Sequence, residues 1–371
     1  MEFSVNKSVL LKELTLAQGV VEKKTTIPIL SNLLLEAAES SLRISSTDLD
    51  LGMRCSCPAS VKTEGAGTIP AKRLLEIIRS LPEADVRVKF LENHWSQVNC
   101  ERSSFKLAGM AKDNFPVLPV VPKPLASIAA NVFIAMIRRT IFAISSEESR
   151  YTLNGALMLL KPEHALMVAT DGHRLALIER DVQVSGLKTE LRVLVPKKAM
   201  AELERLLADS DEELPVEFSQ DESHLFFSVG KRVLIARMLT GQFPNFEAVL
   251  PRENNRVVEL SKDTITAAIR RVALLADERS RAIRMELNKG QLEISSSSGE
   301  QGEAHETLDA EYQNETLQIG FNYQYLLDFL NVVAEGGKVR LELKDEQSAG
   351  QLRPVGEEPY QYRYIVMPMR V

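Results

Sequence analysis

Thr68-Ile69-Pro70-Ala71-Lys72-Arg73-Leu74-Leu75-Glu76 decides the fold, because it returns as Val193-Leu194-Val195-Pro196-Lys197-Lys198-Ala199-Met200-Ala201: an apolar entry, a proline, a basic pair and an apolar run. Pro70 and Pro196 stand 126 positions apart, as do Lys72 and Lys198, and Arg79 and Arg205. A fainter third copy, Leu317-Gln318-Ile319-Gly320-Phe321-Asn322-Tyr323, places Asn322 another 126 positions on from Pro196. A long fixed period marks repeated structural units. The 371 residues hold three of them at roughly 100–200 residues per domain.

Proline marks the joins. Pro116, Pro119, Pro122 and Pro124 crowd one stretch, disfavouring regular helix and central strand there. The second join, Leu250-Pro251-Arg252-Glu253-Asn254-Asn255-Arg256, is polar. Each follows a related phrase, Asn114-Phe115-Pro116-Val117-Leu118 and Gln242-Phe243-Pro244-Asn245-Phe246. Domains are therefore expected over 1–124, 125–252 and 253–371. Within a repeat, alternating runs such as Asp85-Val86-Arg87-Val88-Lys89-Phe90 read as strands with one buried face. Helical spacing over 8–18 (Leu10, Leu11, Leu14, Ala17) and over 71–80 (Leu74, Leu75, Ile78) predicts two helices per repeat and an α+β class. Ser4-Val5-Asn6-Lys7-Ser8-Val9-Leu10-Leu11 resembles Ile69-Pro70-Ala71-Lys72-Arg73-Leu74-Leu75, so each domain reads as a weak duplication of strand and helix, with six similar helices in the chain.

The net charge of −6 argues against a plain nucleic-acid-binding domain, which is usually basic. The distribution carries more information than the sum. Lys12, Arg138 and Arg270 recur on the first helix of each repeat, and Lys72, Arg73 and Arg79 are matched on the next second helix by Lys197, Lys198 and Arg205. Separations of seven or eight residues keep such charges on one helical face. Each helix is thus expected to oppose a basic stripe to an apolar one. Pooled on one side of an arc of domains, the stripes would neutralise phosphates without reading bases.

Other features bound the possibilities. Cys55, Cys57 and Cys100 are too few and too clustered for a disulfide framework, and Cys55 and Cys57 share one face of an alternating strand, as core residues. The start, Met1-Glu2-Phe3-Ser4-Val5, lacks a basic n-region and an apolar h-region, and Arg138 and Arg139 interrupt the apolar window 132–144, so a cytoplasmic, non-membrane protein is expected. Asp171-Gly172-His173 tempts an acid–base reading. The other repeats carry no equivalent Asp-Gly-His, Thr47-Asp48-Leu49-Asp50 occupying the corresponding place in the first, and no nucleophile elbow, P-loop or Gly-x-Gly-x-x-Gly accompanies it, so no enzyme, cofactor or metal is expected.

The most specific phrases are Ile27-Pro28-Ile29-Leu30-Ser31-Asn32-Leu33-Leu34-Leu35, Thr47-Asp48-Leu49-Asp50, Arg150-Tyr151-Thr152-Leu153-Asn154-Gly155, Ala169-Thr170-Asp171-Gly172-His173-Arg174-Leu175-Ala176 and Val366-Met367-Pro368-Met369-Arg370. In this order they resemble the bacterial DNA polymerase III beta subunit family, the sliding clamps, over essentially the whole length. The resemblance implies three clamp-fold domains with helices inside and antiparallel sheets outside, closed as a head-to-tail homodimer ring around double-stranded DNA of any sequence. It implies a partner groove between the second and third domains, lined by Leu153, Thr170, Gly172, His173, Arg174, Leu175, Pro244 and Val249 and completed by Ile365, Val366, Met367, Pro368, Met369 and Arg370. It also implies a dimer interface that sets Arg102, Phe105, Lys106 and Leu107 against Leu274, Leu275, Glu300, Glu303 and Glu306. Lys24 joins the DNA-facing set. Partners would be the replicative polymerase, repair factors and an ATP-driven loader, the last because the chain has no nucleotide-binding loop of its own. A monomeric adaptor that never encircles DNA is the alternative. Ala248, where related clamps often carry arginine, the terminal Val371 and the segment 353–362 depart from the pattern.

Overall fold

The computed structural model describes residues 1–22, 26–147, 149–208, 214–299 and 302–370. Six α-helices lie among the described residues: α1 (Lys7–Val20), α2 (Ala71–Ser80), α3 (Ala130–Thr140), α4 (Lys197–Ala208), α5 (Lys262–Val272) and α6 (Tyr323–Leu330). Each begins on the residue after a strand ends, the strands being Glu2–Asn6, Gly65–Pro70, Ala126–Ala129, Leu191–Pro196, Arg256–Ser261 and Leu317–Asn322. The junction residues explain the abrupt change. Asn6, Ser261 and Asn322 accept hydrogen bonds from the first free helical N–H groups, those of Ser8, Thr264 and Gln324. Pro70 and Pro196, which lack an N–H, end the strands ahead of α2 and α4. One expectation needs correction: α6, Tyr323-Gln324-Tyr325-Leu326-Leu327-Asp328-Phe329-Leu330, has no basic residue, so the stripe is missing from this helix.

Contacts group the chain into two compact units. The first comprises residues 1–134, 185–187 and 195–238. It has a five-stranded antiparallel sheet in the order Ser60–Thr63, Glu2–Asn6, Asp85–Phe90, Trp95–Cys100, Ser103–Ala108. A second, eight-stranded sheet runs Ala126–Ala129, Pro215–Gln220, His224–Val229, Arg232–Arg237, Leu51–Pro58, Ser41–Thr47, Asn32–Ala38, Gly65–Pro70. Leu10, Leu14 and Ala17 of α1 meet Leu74, Leu75 and Ile78 of α2 in the core under these sheets. α1 also lies against α4. Its Glu13, buried, forms a two-pronged ion pair with Arg232 at 2.6 Å. Cys55 and Cys57 are buried on Leu51–Pro58, and burial pushes both thiols up, that of Cys57 to about 11.

The second unit comprises 135–184, 188–194 and 239–371. Strands Gly155–Lys161, His164–Thr170, Arg174–Asp181, Gln361–Val366, Gly350–Val355, Lys338–Leu343 and Arg256–Ser261 follow one another in one antiparallel sheet. A four-stranded sheet runs Gly302–Asp309, Gln291–Ser298, Ala282–Asn288, Leu317–Asn322. Arg232–Arg237 pairs with Leu51–Pro58 and Gln361–Val366 pairs with Arg174–Asp181, so a strand of one repeat extends the sheet of the repeat before it. Among the described residues no helix is long and apolar enough to cross a membrane.

Candidate functional site

The tight turn at 170–174 joins His164–Thr170 to Arg174–Asp181 and is fixed by its own side chains. The Thr170 hydroxyl donates to the Arg174 carbonyl at 2.5 Å and accepts from the Gly172 N–H at 3.1 Å. Asp171 Oδ1 accepts from the N–H groups of His173 and Arg174 at 2.9 and 3.1 Å, the self-capping that makes Asp and Thr good turn residues. Gly172 sits at φ +91°, which suits a residue without a Cβ.

Arg174 ties this turn to the body of the unit. Its guanidinium donates to Asp171 at 3.0 Å, to Asp328 at 2.5 Å and to the Phe142 carbonyl at 2.6 Å, and lies 4.3 Å from the Tyr325 ring centroid. Burial disfavours the charge, but Tyr364, Asp328 and Asp171 more than offset it and hold the group above its ordinary range. Burial likewise pushes the Tyr364 hydroxyl well up. Both carboxylate oxygens of Asp171 are thus engaged, by two backbone amides and by Arg174, and none of these bonds orients the exposed His173 ring for proton transfer.

Above the turn opens a cavity of about 190 Å³. Leu175 and Ile365, directly paired across two strands, belong to its floor. Leu153, Pro244, Asn245, Phe246 and Val249 complete its lining. The floor continues into a buried apolar cluster with Leu157, Leu177 and Phe243. Val249 and Met367, 50% and 46% exposed, leave apolar surface at the rim. The Met367 N–H donates to the His173 carbonyl at 2.9 Å, fastening the last segment beside the turn. A small apolar cavity with an exposed methionine at its lip suits apolar side chains of a short segment, and methionine's flexible thioether suits several such ligands.

Ten of the expected groove residues line this cavity: Leu153, Thr170, Gly172, His173, Arg174, Leu175, Pro244, Val249, Ile365 and Met367. Four do not. Val366 is fully buried, because neighbouring strand residues point to opposite faces. Pro368 lies beyond the cavity wall, Met369 donates its N–H to the Gly320 carbonyl at 2.8 Å, and Arg370 sits in a separate depression with Arg284 and His305. Asn245 and Phe246 were missed, although they end the very phrase that marks the second join.

The described DNA-facing candidates lie at the surface, several with local partners. Lys12, Lys72, Arg73, Arg79, Arg138, Lys198, Arg205 and Arg270 are exposed and Lys197 half-buried, while Lys24 lies outside the described residues. Arg73 pairs with Glu76 at 2.9 Å, Arg205 with Glu202 at 2.9 Å, and Lys198 with Glu22 and Asp48 at 3.3 Å each.

The expected interface residues mark two sheet edges. Ser103–Ala108 is outermost in its five-stranded sheet, with Arg102 and Lys106 exposed and Phe105 and Leu107 packed on the core below. Gly302–Asp309 is outermost in its four-stranded sheet, with Glu303 exposed and Glu306 paired to Arg271. Leu274, 77% exposed, and the half-buried Leu275 lie in the short 3-10 turn that packs against this strand. Glu300 lies outside the described residues. Among the described residues no cluster of His, Cys, Asp and Glu could hold a metal.

Comparison with known proteins agrees along the whole chain. Family profiles of the DNA polymerase III beta subunit match in sequence order: the N-terminal domain over residues 1–119, the central domain over 127–245 and the C-terminal domain over 247–370. The beta sliding clamp of Pseudomonas aeruginosa is 36% identical over 376 residues and that of Proteus mirabilis 35% over 374, each covering 100% of both chains. The solved P. aeruginosa sliding clamp bound to griselimycin has a TM-score of 0.93 at 34% identity, covering 100% of both chains. The Bacillus subtilis clamp has a TM-score of 0.91 at 25% identity, covering 100% of this chain and 99% of that one.

Proposed function

The chain belongs to the DNA polymerase III beta subunit family, the beta sliding clamps, and from that premise we propose that two copies close head to tail into a ring around duplex DNA. A sliding clamp is an accessory factor and not an enzyme: it confers processivity on the replicative polymerase. Non-specific phosphate contacts weaken steeply with salt, so affinity alone makes a poor tether. Enclosure replaces affinity with topology, and the contacts can then stay weak enough to slide. The carboxylates beside Arg73, Lys198 and Arg205 suit such soft contacts.

The closure reading is supported by two outer strands of opposite charge. An outer strand offers unpaired backbone groups to another chain. Ser103–Ala108 follows Arg102 and carries Lys106, and Gly302–Asp309 carries Glu303 and Glu306. A heterologous contact of this kind gives a ring when its rotation closes, here with two copies of three domains over 1–124, 125–252 and 253–371. The Leu175–Ile365 cavity is the docking site for short apolar motifs of the replicative polymerase, repair factors and an ATP-driven loader in the cytoplasm. Griselimycin, bound by the P. aeruginosa relative, occupies the same cavity in this reading. The decisive experiment loads the protein onto a nicked circular duplex and washes in high salt. Retention that ends when the circle is cut supports enclosure, and loss in the wash with the circle intact overturns it.

A further inference from the structure

The turn beside the cavity has a double in the other unit. The Thr47 hydroxyl donates to the Leu51 carbonyl at 2.7 Å and accepts from the Leu49 N–H at 3.0 Å, and Asp48 Oδ1 accepts from the N–H groups of Asp50 and Leu51 at 3.0 and 2.6 Å. These are the bonds that Thr170 and Asp171 make to Arg174, Gly172 and His173. Leu49 even adopts φ +80° where Gly172 has +91°, a conformation a leucine rarely takes. The Asp50 carbonyl accepts from the Arg237 N–H at 2.7 Å, as His173 does from Met367. Gly52 faces Ile235 across the strands as Leu175 faces Ile365, and Phe115-Pro116 stands in the place of Phe243-Pro244.

What differs is the space above the floor. A Cβ on Gly52 would lie 2.8 Å from Leu118 Cδ2 and 3.6 Å from Ile235 Cβ, so the Leu118 side chain sits over the Gly52–Ile235 pair. Over Leu175 and Ile365 the equivalent space belongs to the cavity. Leu118 is half-buried, whereas Val117 and Val120 beside it are 96% and 86% exposed, so the segment turns one leucine inward. Ser219 donates to the Pro122 carbonyl at 3.2 Å, anchoring the same segment further on.

We propose that Leu118 is the built-in occupant of a second copy of the groove, so that the segment joining the first two repeats closes this site to the apolar ligands the first copy accepts. The proposal rests on the groove reading above. It gives a structural cause for the difference between the two copies: among the described residues the turn is duplicated, and Leu118 fills the space over one copy while the cavity leaves the other to a ligand.

The test uses the full-length protein with labelled isoleucine methyl groups and griselimycin as probe. In the wild-type protein griselimycin should shift the Ile365 methyl signal and leave Ile235 unmoved. In Leu118→Ala both should shift, Ile235 at higher ligand concentration. Gly52→Ala, which crowds Leu118 out of its seat without deleting it, gives a second route to the same result should Leu118→Ala fold poorly. An Ile235 signal that stays put in both variants while Ile365 saturates overturns the second site and leaves the groove standing. A silent Ile365 in the wild-type protein overturns the groove reading, and this proposal with it.

Discussion

Asp328 on α6 accepts a hydrogen bond at 2.5 Å from the guanidinium of Arg174, whose backbone closes the groove turn. The two side chains are only 20% and 10% exposed. Asp328 also accepts from Gln324 at 2.8 Å, so one carboxylate links α6 to the cavity wall. Removing one partner of a buried pair costs about 3–5 kcal/mol, and the surviving Asp171 contact places Asp328→Ala near about 3 kcal/mol. Urea unfolding should show that loss. Griselimycin should bind roughly tenfold more weakly, about 1.4 kcal/mol, because the turn loses one of its two anionic anchors. Unchanged binding in a folded Asp328→Ala protein would mean the turn holds its shape without α6.

Much of this was readable from residue order, for definite reasons. α2 spans Ala71–Ser80 as its apolar spacing predicts, and α1 runs Lys7–Val20, slightly beyond the expected 8–18. The phrase 169–176 was picked out through the family resemblance as groove lining, and the tight turn that its Thr, Asp and Gly fix was not read from the sequence, although each of these residues has a local bonding role there. Val366 was misplaced by treating 365–370 as a continuous wall, although within the strand Gln361–Val366 it follows Ile365 and so turns to the opposite, buried face. The basic stripe was carried onto α6 by the repeat, against its own composition. That Ser103–Ala108 and Gly302–Asp309 are outermost was beyond local reading, since sheet order depends on pairings distant in sequence.

Gly19 on α1 sets two effects against each other. Helix propensity favours alanine over glycine by about 1 kcal/mol. A Cβ there, however, would lie 2.2 Å from Glu202 Oε2, a buried oxygen without a hydrogen-bond partner. Glu202 is buried and its other carboxylate oxygen accepts from Arg205 at 2.9 Å, so this carboxylate has little room to retreat. Gly19→Ala should therefore destabilise the chain by about 1–3 kcal/mol, as overpacking does. In a Glu202→Ala background the same change should be neutral or stabilising. Thermal unfolding of the four proteins measures the coupling, and simple additivity would contradict the contact.

Neutralising Lys12, Lys72, Arg73, Lys198 and Arg205 together should impair loading or placement on DNA more than ring assembly. Each lost phosphate contact lowers the salt dependence of binding by a slope of about 0.9, so the deficit should be largest at low salt. Sedimentation should still report the dimer. Loading equal to that of the unaltered protein across the salt range would remove these helices from the DNA-facing role.

The ring interface should respond to pH through His305 on Gly302–Asp309. Its ring nitrogens lie 3.0 Å from Glu293 and 3.6 Å from Glu303, and the hydrogen bond to Glu293, helped by the Glu303 carboxylate nearby, raises its pKa above the ordinary histidine value. A pKa raised by folding stabilises the folded chain below the unfolded value, and that contribution fades as pH climbs through the raised one. Ring closure has the opposite sign. Protonated His305 cancels negative charge on the acidic strand, so its loss of a proton strengthens attraction to Arg102 and Lys106 of a second copy. Between about pH 6 and pH 8 the dimer should tighten while the isolated fold loses the stabilisation His305 supplied, and His305→Gln should flatten both trends. Sedimentation across that range decides the matter: a dimer that loosens with rising pH, or one whose pH response survives His305→Gln, would place the acidic strand outside the interface. Leu274→Asp supplies the apolar counterpart, since a carboxylate at this 77% exposed position should cost the isolated chain little and yet dissociate the ring.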